Sequence, residues 1–366
     1  MKIKKKYKYP WFKPFISKSI KQEVNRIFDK NLLTMGKKTT ELENKLKKFL
    51  KVKHVILTTS GTSALFMSSM AYDIKPGDVI ITQNLTWIAT VNPFLIKNCK
   101  IILADTIHNQ ENVNYEILNN LIKKHKPKIV VLVHMNGQVF YNKAFNKLKS
   151  KMKFKVIEDT AQSFGTRSDK KKYAGTNYDI GCFSFSISKH INMIYGGFCV
   201  TNNNYIAKKL VAIRNNGVNS LPENALLELP TEQGLNLKPS DLHSSFGLKN
   251  LKYKDKIFNN AKKIYQKYQK ELNNFKLKLV KIDLRKSIPI YVQVLVQNRN
   301  KFYNYCNKHS IQIHFGTRTL DNVIKKQNKK SLTKSINLSK KLVRLPCGPN
   351  YNLNDLDYII KILNKY

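Results

Sequence analysis

Short apolar runs alternate with amphipathic stretches along the first part of the chain. The runs are rich in β-branched or aromatic residues, which is typical of strands that are buried on both faces. Most are separated by stretches with helical spacing of apolar residues, such as the one that carries Leu118, Leu121 and Ile122. This alternation predicts an α/β fold with a mostly parallel seven-stranded sheet covered by helices. The predicted strands are residues 55–58, 79–82, 100–104, 128–134, 154–158, 182–187 and 198–202.

Helical spacing also appears before the first predicted strand and after about residue 240. Two N-terminal helices are predicted from apolar positions at 20, 24, 27 and 28, and at 42, 46, 49 and 50. The later region begins with a long Lys-rich helix. Its remaining predicted elements are, in chain order, strands near 277–282 and 288–297, a helix, a strand at 311–315 and a final helix near 353–364. We therefore predict an N-terminal arm and large domain at 1–240 and a smaller α+β C-terminal domain at 241–366.

One part of the predicted sheet combines a carboxylate with a lysine. The run 154–158 leads into Asp159, and Lys189 follows thirty residues later, between the run CFSFSI and the pair Gly196-Gly197. A lysine amine can form a Schiff base with pyridoxal phosphate, and a carboxylate can keep the pyridine nitrogen of that cofactor protonated. The spacing alone is weak evidence, because lysine is the commonest residue of the chain. The pair nevertheless indicates a candidate site for this cofactor.

The sequence around this pair is much more specific than the spacing. EDTAQSFG, AGTNYDIGCFSFSISK and the following GG closely resemble EDAAQAxGA, GxxGDIGCFSFxxxK and GEGGxVVT of the DegT/DnrJ/StrS-type sugar aminotransferases. Further likeness lies in VILTTSGTSALFM, NLTWIATVN, VHMNGQ (family VHLYGQ) and GLNLKPSDLHSSFGLKNL, so the resemblance covers nearly all 366 residues.

The resemblance implies a fold type I transferase that depends on pyridoxal phosphate. Such an enzyme is expected to move an amino group from glutamate to a nucleotide-linked keto-deoxysugar, with a 4-keto-6-deoxyhexose favoured over a 3-keto sugar. Its products are expected to be amino sugars, for example for surface polysaccharides. The resemblance also implies a homodimer whose active sites are shared between the two chains.

The same resemblance assigns residues to the cofactor ring. Lys189 is expected to bind the cofactor covalently, and Asp159 to hold the pyridine nitrogen, although Asp159 could also cap a helix. Gln162 is expected to donate to the ring hydroxyl. Trp87 is expected to stack on the ring, a role compatible with that of a buried core tryptophan. Catalysis is thereby assigned to Lys189 and Asp159.

A second group of residues is expected to bind the cofactor phosphate. Ser60, Gly61 and Thr62 lie between a predicted strand and a helix, where free backbone N–H groups and the helix dipole favour an anion. Ser184 matches a phosphate-binding hydroxyl of the family. Asn236 matches an asparagine that the family supplies from the neighbouring subunit.

Two further polar residues of the strands are not assigned to catalysis. His134, inside an apolar run, is expected to be a structural histidine, and the role of Glu158 is left open.

The chain departs from the family pattern near the expected substrate site. Ile194-Tyr195 replaces Gly-Glu before the glycine pair, Leu235 and Leu237 replace two aromatic residues, and Lys238 replaces arginine. These changes leave the sugar specificity open. Some relatives with histidine at the lysine position are sugar dehydratases, so a dehydratase or a non-catalytic homologue is the alternative. Here the histidine is at 190, which favours transamination.

The formal net charge of +43 raises the alternative of a nucleic-acid-binding protein. Of the 66 basic residues, however, only seven are arginine, the residue that supplies the bidentate contacts of specific binders. The lysines are spread along the whole chain. We therefore expect diffuse charge without specific nucleic-acid binding, and a field that helps to attract an anionic substrate.

The sequence also bears on location and on metals. No apolar run is long enough to span a bilayer, and the charged N-terminus has no apolar run behind it, so neither a membrane span nor a secretory signal is expected. The five cysteines show no CxxC pairing, and four lie in apolar or strand-like contexts, which is typical of thiols in a reducing cytoplasm. No metal site is predicted.

Overall fold

The computed structural model describes residues 7–31, 33–168, 172–219, 228–324 and 329–366. Its central feature is a seven-stranded sheet with the strand order β1-β7-β6-β5-β4-β2-β3. Strand β7 is antiparallel to both of its neighbours, and all other neighbouring pairs are parallel. The strands are β1 (His54–Thr58), β2 (Val79–Gln83), β3 (Lys100–Ala104), β4 (Ile129–Val133), β5 (Lys155–Asp159), β6 (Ile180–Ser184) and β7 (Gly197–Thr201). All seven predicted strands are confirmed, with bounds within three residues.

Twelve α-helices lie in the described ranges, and several begin at a side chain that accepts a backbone hydrogen bond, as Asn114 and Asn142 do. They are α1 (Ile20–Asp29), α2 (Lys37–Leu50), α3 (Gly61–Ala71), α4 (Asn92–Ile96), α5 (Tyr115–His125), α6 (Lys143–Met152), α7 (Asn204–Arg214), α8 (Asp241–Leu251), α9 (Lys254–Glu271), α10 (Arg299–Lys308), α11 (Thr333–Lys341) and α12 (Leu353–Asn364).

The two predicted N-terminal helices are present as α1 and α2, but the buried face of α1 differs from the prediction. Phe28 is 53% exposed, and the buried face instead includes Glu23. That carboxylate forms ion pairs with Arg26 and Lys249, which make its burial tolerable.

A second, antiparallel sheet is formed by the C-terminal part of the chain, in the order β10-β11-β9-β8. Its strands are β8 (Lys278–Leu279), β9 (Val292–Leu295), β10 (His314–Phe315) and β11 (Leu342–Leu345). Strands β8, β9 and β10 are therefore shorter than the three strands predicted for this region, whereas the final helix has its predicted bounds. Strand β11 and helix α11 were not predicted. The N-terminal residues Tyr9 and Phe12 pack into the core of this sheet.

Helix α8 connects the two parts of the molecule. Its residues Leu248 and Leu251 share a core with Leu42 of α2 and Phe183 of β6, so the chain after residue 240 also contributes to the core of the large sheet. The domain boundary between residues 240 and 241 stays a prediction.

All five cysteines are free thiols, and only Cys99 is partly exposed. Within the ranges given above, no helix has both the length and the apolar character needed to cross a bilayer. The same residues contain no group of three or more His, Cys, Asp or Glu side chains arranged to bind a metal ion.

Candidate active site

Asp159 is the last residue of β5 and lies at the carboxyl edge of the parallel strands. Its side chain is only 5% exposed. The Thr90 hydroxyl donates to Oδ2 over 2.8 Å, and the Ala161 N–H donates to Oδ1 over 3.2 Å. Burial raises the pKa of this carboxyl group, and the two donors and the charge of Lys189 only partly oppose that effect. Asp159 thus has neutral donors but, in the described part of the chain, no ion-pair partner.

Lys189 lies in the loop between β6 and β7 and is half-buried. Two backbone hydrogen bonds of 2.8 Å close this loop, from the Phe185 N–H to the Gly196 carbonyl and from the Met193 N–H to the Phe185 carbonyl. The lysine is near enough to Asp159 for its charge to lower the pKa of that carboxyl group. The structure therefore brings together the two residues that the sequence pairs.

The beginning of α3 meets the end of β6. The Ser60 hydroxyl caps the helix by accepting the Ser63 N–H over 3.0 Å. A Cβ atom at Gly61 would lie 2.8 Å from the Cβ of Ser184, so glycine is what permits this close approach. The first helical N–H groups, those of Gly61 and Thr62, have no acceptor within the described residues. Backbone donors at a helix N-terminus beside a serine form a suitable cradle for a phosphate.

Gln162 follows β5 by three residues and is half-buried. Its side-chain Oε1 accepts the Asn136 N–H over 3.2 Å, and its carbonyl accepts the Gly137 N–H over 3.0 Å. These bonds fix the segment after β5 against the segment after β4.

Trp87 and Asn236 are less closely joined to these residues. The Trp87 carbonyl accepts the Thr90 N–H over 3.0 Å, and Thr90 is the residue whose hydroxyl binds Asp159. The Trp87 side chain, however, is 64% exposed. In the single chain it is therefore not a buried core tryptophan. Asn236 forms an isolated bridge with Asn215, and its side chain is exposed. Within the described residues, no hydrogen bond or ion pair joins Asn236 to the other predicted residues.

Glu158 and His134 form a separate, completely buried network. The carboxylate accepts a 2.9 Å hydrogen bond from His134 Nε2. The donor can be assigned, because His134 Nδ1 accepts the Phe140 N–H and must be unprotonated. Glu158 also accepts backbone N–H groups of residues 175, 177 and 178 and the Asn177 side-chain amide. Both residues are structural, as expected for His134.

His190, directly after Lys189, is also engaged elsewhere. It is buried, and its Nε2 lies 3.0 Å from the Pro289 carbonyl, which can only accept a proton. Burial lowers the pKa of His190 to about 4. The ring is therefore neutral near pH 7 and points into the protein.

The departure from the family pattern at 194–195 has a backbone consequence. Ile194 has φ of +67°, a conformation that is rare for a β-branched residue and easy for the glycine of the family pattern. The neighbouring Tyr195 side chain is 70% exposed. The loop that carries Lys189 therefore ends in a strained turn beside an exposed aromatic ring.

Two polar residues of the site were missed in the sequence. Thr90 lies in the segment NLTWIATVN, where only Trp87 was singled out. Asn136 lies in an Asn-Gly pair after β4, a signal for a turn that says nothing of its partners.

These features suit pyridoxal phosphate. The buried Asp159 carboxylate can be matched by a protonated pyridine nitrogen, a nearby lysine can form the covalent bond, and the start of α3 can take the phosphate. A sequence profile described as the DegT/DnrJ/EryC1/StrS aminotransferase family matches residues 14–364. The chain belongs to this family. The expected family, the aminotransferase class, the fold type I architecture and the cofactor, pyridoxal phosphate, are thereby confirmed.

Individual members of the DegT/DnrJ/EryC1/StrS family resemble the chain over most of its length. It is 27% identical over 358 residues to the UDP-4-amino-4,6-dideoxy-N-acetyl-beta-L-altrosamine transaminase of Campylobacter jejuni subsp. jejuni serotype O:23/36 (strain 81-176), covering 94% of this chain and 91% of that one.

Two solved structures share the fold. PseC of Helicobacter pylori, an aminotransferase involved in the biosynthesis of pseudoaminic acid, has a TM-score of 0.87 at 23% identity and covers 98% of both chains. The E. coli GDP-4-keto-6-deoxy-D-mannose-3-dehydratase with bound hydrated PLP has a TM-score of 0.84 at 19% identity, covering 98% of this chain and 99% of that one.

Proposed function

We propose that this aminotransferase moves an amino group from glutamate to the keto carbon of a nucleotide-linked deoxysugar, with a 4-keto-6-deoxyhexose as the preferred acceptor. The observation that carries the proposal is the buried Asp159, without an ion-pair partner in the described residues, beside Lys189. The choice of sugar is supported by the Campylobacter relative, whose name describes a 4-amino-4,6-dideoxy sugar nucleotide.

Asp159 and Lys189 are assigned different tasks at the cofactor ring. Asp159 keeps a proton on the pyridine nitrogen, so that bound pyridoxal phosphate can act as an electron sink. Lys189 supplies the amine for the covalent bond and, once released from it, carries a proton at Nζ to and from the reacting carbon. Trp87 is assigned to stacking on the ring and Gln162 to donating to the ring hydroxyl.

The phosphate group is assigned to the start of α3. The N–H groups of Gly61 and Thr62, together with the hydroxyls of Ser60, Thr62 and Ser184, can donate to its oxygens. A cofactor whose phosphate is anchored there would be held in place independently of its covalent bond to Lys189.

Covalent labelling tests the assignment directly. Borohydride reduction of the purified holoenzyme followed by peptide mapping should place the reduced cofactor on Lys189. Lys189→Ala should remove both the label and turnover, while Lys155→Ala, at the exposed opposite end of β5, should retain both. Glutamate should convert the absorbance of the wild-type cofactor to that of its amine form. Label on another lysine would refute the assignment.

Sugar dehydration remains the alternative activity. It is disfavoured because lysine is at the position in question, and because the neighbouring His190 is neutral, buried and bonded to the Pro289 carbonyl. The two activities differ in their products. Incubation with glutamate and a 4-keto-6-deoxyhexose nucleotide should yield an amino sugar, whereas a deoxygenated keto sugar would identify a dehydratase.

We also propose that the working unit is a homodimer in which Asn236 reaches the partner's phosphate site. Support comes from the exposure of Asn236 and of several apolar side chains, namely Trp87, Ile187, Tyr195 and Leu235, which a second copy could cover. The unpaired cysteines support a further proposal, that the enzyme works in the reducing cytoplasm.

Mixed dimers test the shared site. In a dimer of Lys189→Ala and Asn236→Ala chains, one site carries both changes and the other carries neither. Random mixing of equal amounts should therefore return about a quarter of wild-type activity, above the average of the two parents. Activity equal to that average, with subunit exchange verified, would place Asn236 in its own chain's site or in none.

A further inference from the structure

Asn136 links the segment after β4 to the second sheet. It is completely buried and adopts a left-handed conformation with φ of +47°. Its Oδ1 accepts the N–H groups of Ile290 and Tyr291 over 3.2 and 2.8 Å. Its Nδ2 donates to the Tyr291 carbonyl over 3.1 Å and to the Gln293 Oε1 over 2.6 Å. Because backbone N–H groups can only donate, the orientation of the Asn136 amide is determined.

The same residue determines the orientation of the Gln162 amide. The Asn136 N–H donates to Gln162 Oε1 over 3.2 Å. The Gly137 N–H holds the Gln162 carbonyl over 3.0 Å, so the side chain and backbone of Gln162 are bound from the same turn. With Oε1 engaged, Nε2 is the end of the amide that remains to donate.

We infer that Asn136 is a positioning residue for Gln162, and that it connects the start of β9 to the hydrogen bond that Gln162 donates to the ring hydroxyl of the cofactor. The inference rests on the proposed role of Gln162. Four side-chain hydrogen bonds hold Asn136 in place, and its N–H in turn engages the Gln162 oxygen, which leaves the Gln162 amide nitrogen to donate. The family pattern VHLYGQ has tyrosine at this position, so the arrangement through Asn136 is a property of this chain.

The test is the pH at which the visible absorbance of the Lys189-linked cofactor changes. An amide that donates to the ring oxygen stabilises its anionic form, so loss of that donor should raise this pH. Gln162→Ala should raise it by about one unit, a tenfold change in proton affinity. Asn136→Ala should raise it by at least half as much. The double variant should shift no further than Gln162→Ala alone, because both changes remove one interaction.

Two further variants separate positioning from general destabilisation. Asn84→Ala is the matched control, since Asn84 is equally buried after β2, accepts the Leu320 N–H and donates to the Ser335 hydroxyl. Asn84→Ala should lower the stability of the protein without altering the pH at which the cofactor absorbance changes. Asn136→Gly retains the left-handed backbone at low cost and should reproduce the shift if Asn136→Ala does not fold.

The inference is refuted if Gln162→Ala shifts the pH and the Asn136 variants do not, if the shifts of the single variants add, or if Asn84→Ala shifts it equally. It is also refuted if Gln162→Ala has no effect. Failure of the proposed function has a different signature, the absence of borohydride label on Lys189.

Discussion

Glu158 and Asp159 are neighbours at the end of β5, yet they lie in opposite environments. Successive strand residues point to opposite faces of a sheet, so each carboxylate faces a different set of partners. Glu158 accepts hydrogen bonds from His134 and from a turn at residues 175–178. Among the described residues, the Asp159 carboxylate accepts only the Thr90 hydroxyl and the Ala161 N–H. Both carboxylates are buried, but Glu158 is surrounded by several protein donors and Asp159 by two.

The difference teaches how to distinguish a structural from a functional buried charge. A carboxylate surrounded by protein donors contributes to folding, because each donor would otherwise lack an acceptor. Burial raises the pKa of Asp159, and within the described residues this carboxylate forms no ion pair, although Lys189 is near enough to lower its pKa in part. Such a carboxylate costs stability until a ligand supplies a positive charge in contact with it. Substitutions on the two sides should therefore have opposite signatures.

The largest expected effect is on stability, from Glu158→Gln. An amide cannot accept all the hydrogen bonds that the carboxylate accepts, so the cofactor-free protein should lose about 2–5 kcal/mol of unfolding free energy. Urea denaturation measures this as a lower midpoint at constant slope. The folded variant should still show borohydride label on Lys189. A loss below about 0.5 kcal/mol, the range of ordinary surface substitutions, would remove the distinction between the two sides.

Asp159→Asn should give the reverse pattern. Loss of a charge-assisted hydrogen bond to the pyridine nitrogen should reduce turnover by about tenfold to a hundredfold, or about 1.5–3 kcal/mol. The cofactor-free protein should be no less stable. The raised pKa means that ionising Asp159 costs folding energy once the pH exceeds the unfolded value of about 3.9, and asparagine removes that cost. Clear destabilisation without loss of turnover would contradict the assignment.

Thr90→Val tests the same side with a smaller change. Without the hydroxyl donor the pKa of Asp159 should rise further, so the acidic limb of the pH–rate profile should move to higher pH. Near pH 7 the loss should be about threefold to tenfold, the worth of one hydrogen bond of about 1 kcal/mol. Thr90→Ser retains the hydroxyl and should restore the wild-type profile. An unchanged profile in the valine variant would exclude Thr90 as a determinant of the Asp159 pKa.

Ile194→Gly should have the smallest effect on stability. It tests whether the loop that carries Lys189 is strained at Ile194. Glycine relieves the left-handed conformation of Ile194 but increases the freedom of the unfolded chain, so the net gain should be below about 1 kcal/mol. Thermal unfolding of the cofactor-free protein measures it, with Ile187→Gly in the same loop as the control that should lose stability. A loss at Ile194 as well would mean that its side-chain contacts outweigh the strain.

The sequence predicted the large sheet well and the small one less well. Runs such as 128–134 are apolar on both faces, which leaves little alternative to a buried strand. Strand β11, LVRL, was missed because Arg344 interrupts the apolar run, and only the structure shows that residue buried over the Tyr291 ring.

The candidate site was predicted where the chemistry lies in a motif. Lys189 and Asp159 could be predicted because the family pattern surrounds them. Thr90 and Asn136 could not be predicted, because their partners are distant in the sequence. Thr90 binds Asp159, 69 residues later, and Asn136 binds the segment at the start of β9, at least 154 residues later. The predicted burial of Phe28 was wrong, since the structure leaves that side chain exposed and buries Glu23 in ion pairs on another side of α1.

The cysteines offer a way to follow how the molecule opens. Cys182 and Cys199 face each other across β6 and β7, while Cys306 and Cys347 lie in the core of the second sheet. Burial raises the pKa of Cys182 well above its usual value and that of Cys306 and Cys347 to about 12. These thiols should therefore be alkylated only when their own segment opens. Equal labelling rates for the two pairs would mean that both sheets unfold as one cooperative unit, and unequal rates would make them independently opening units.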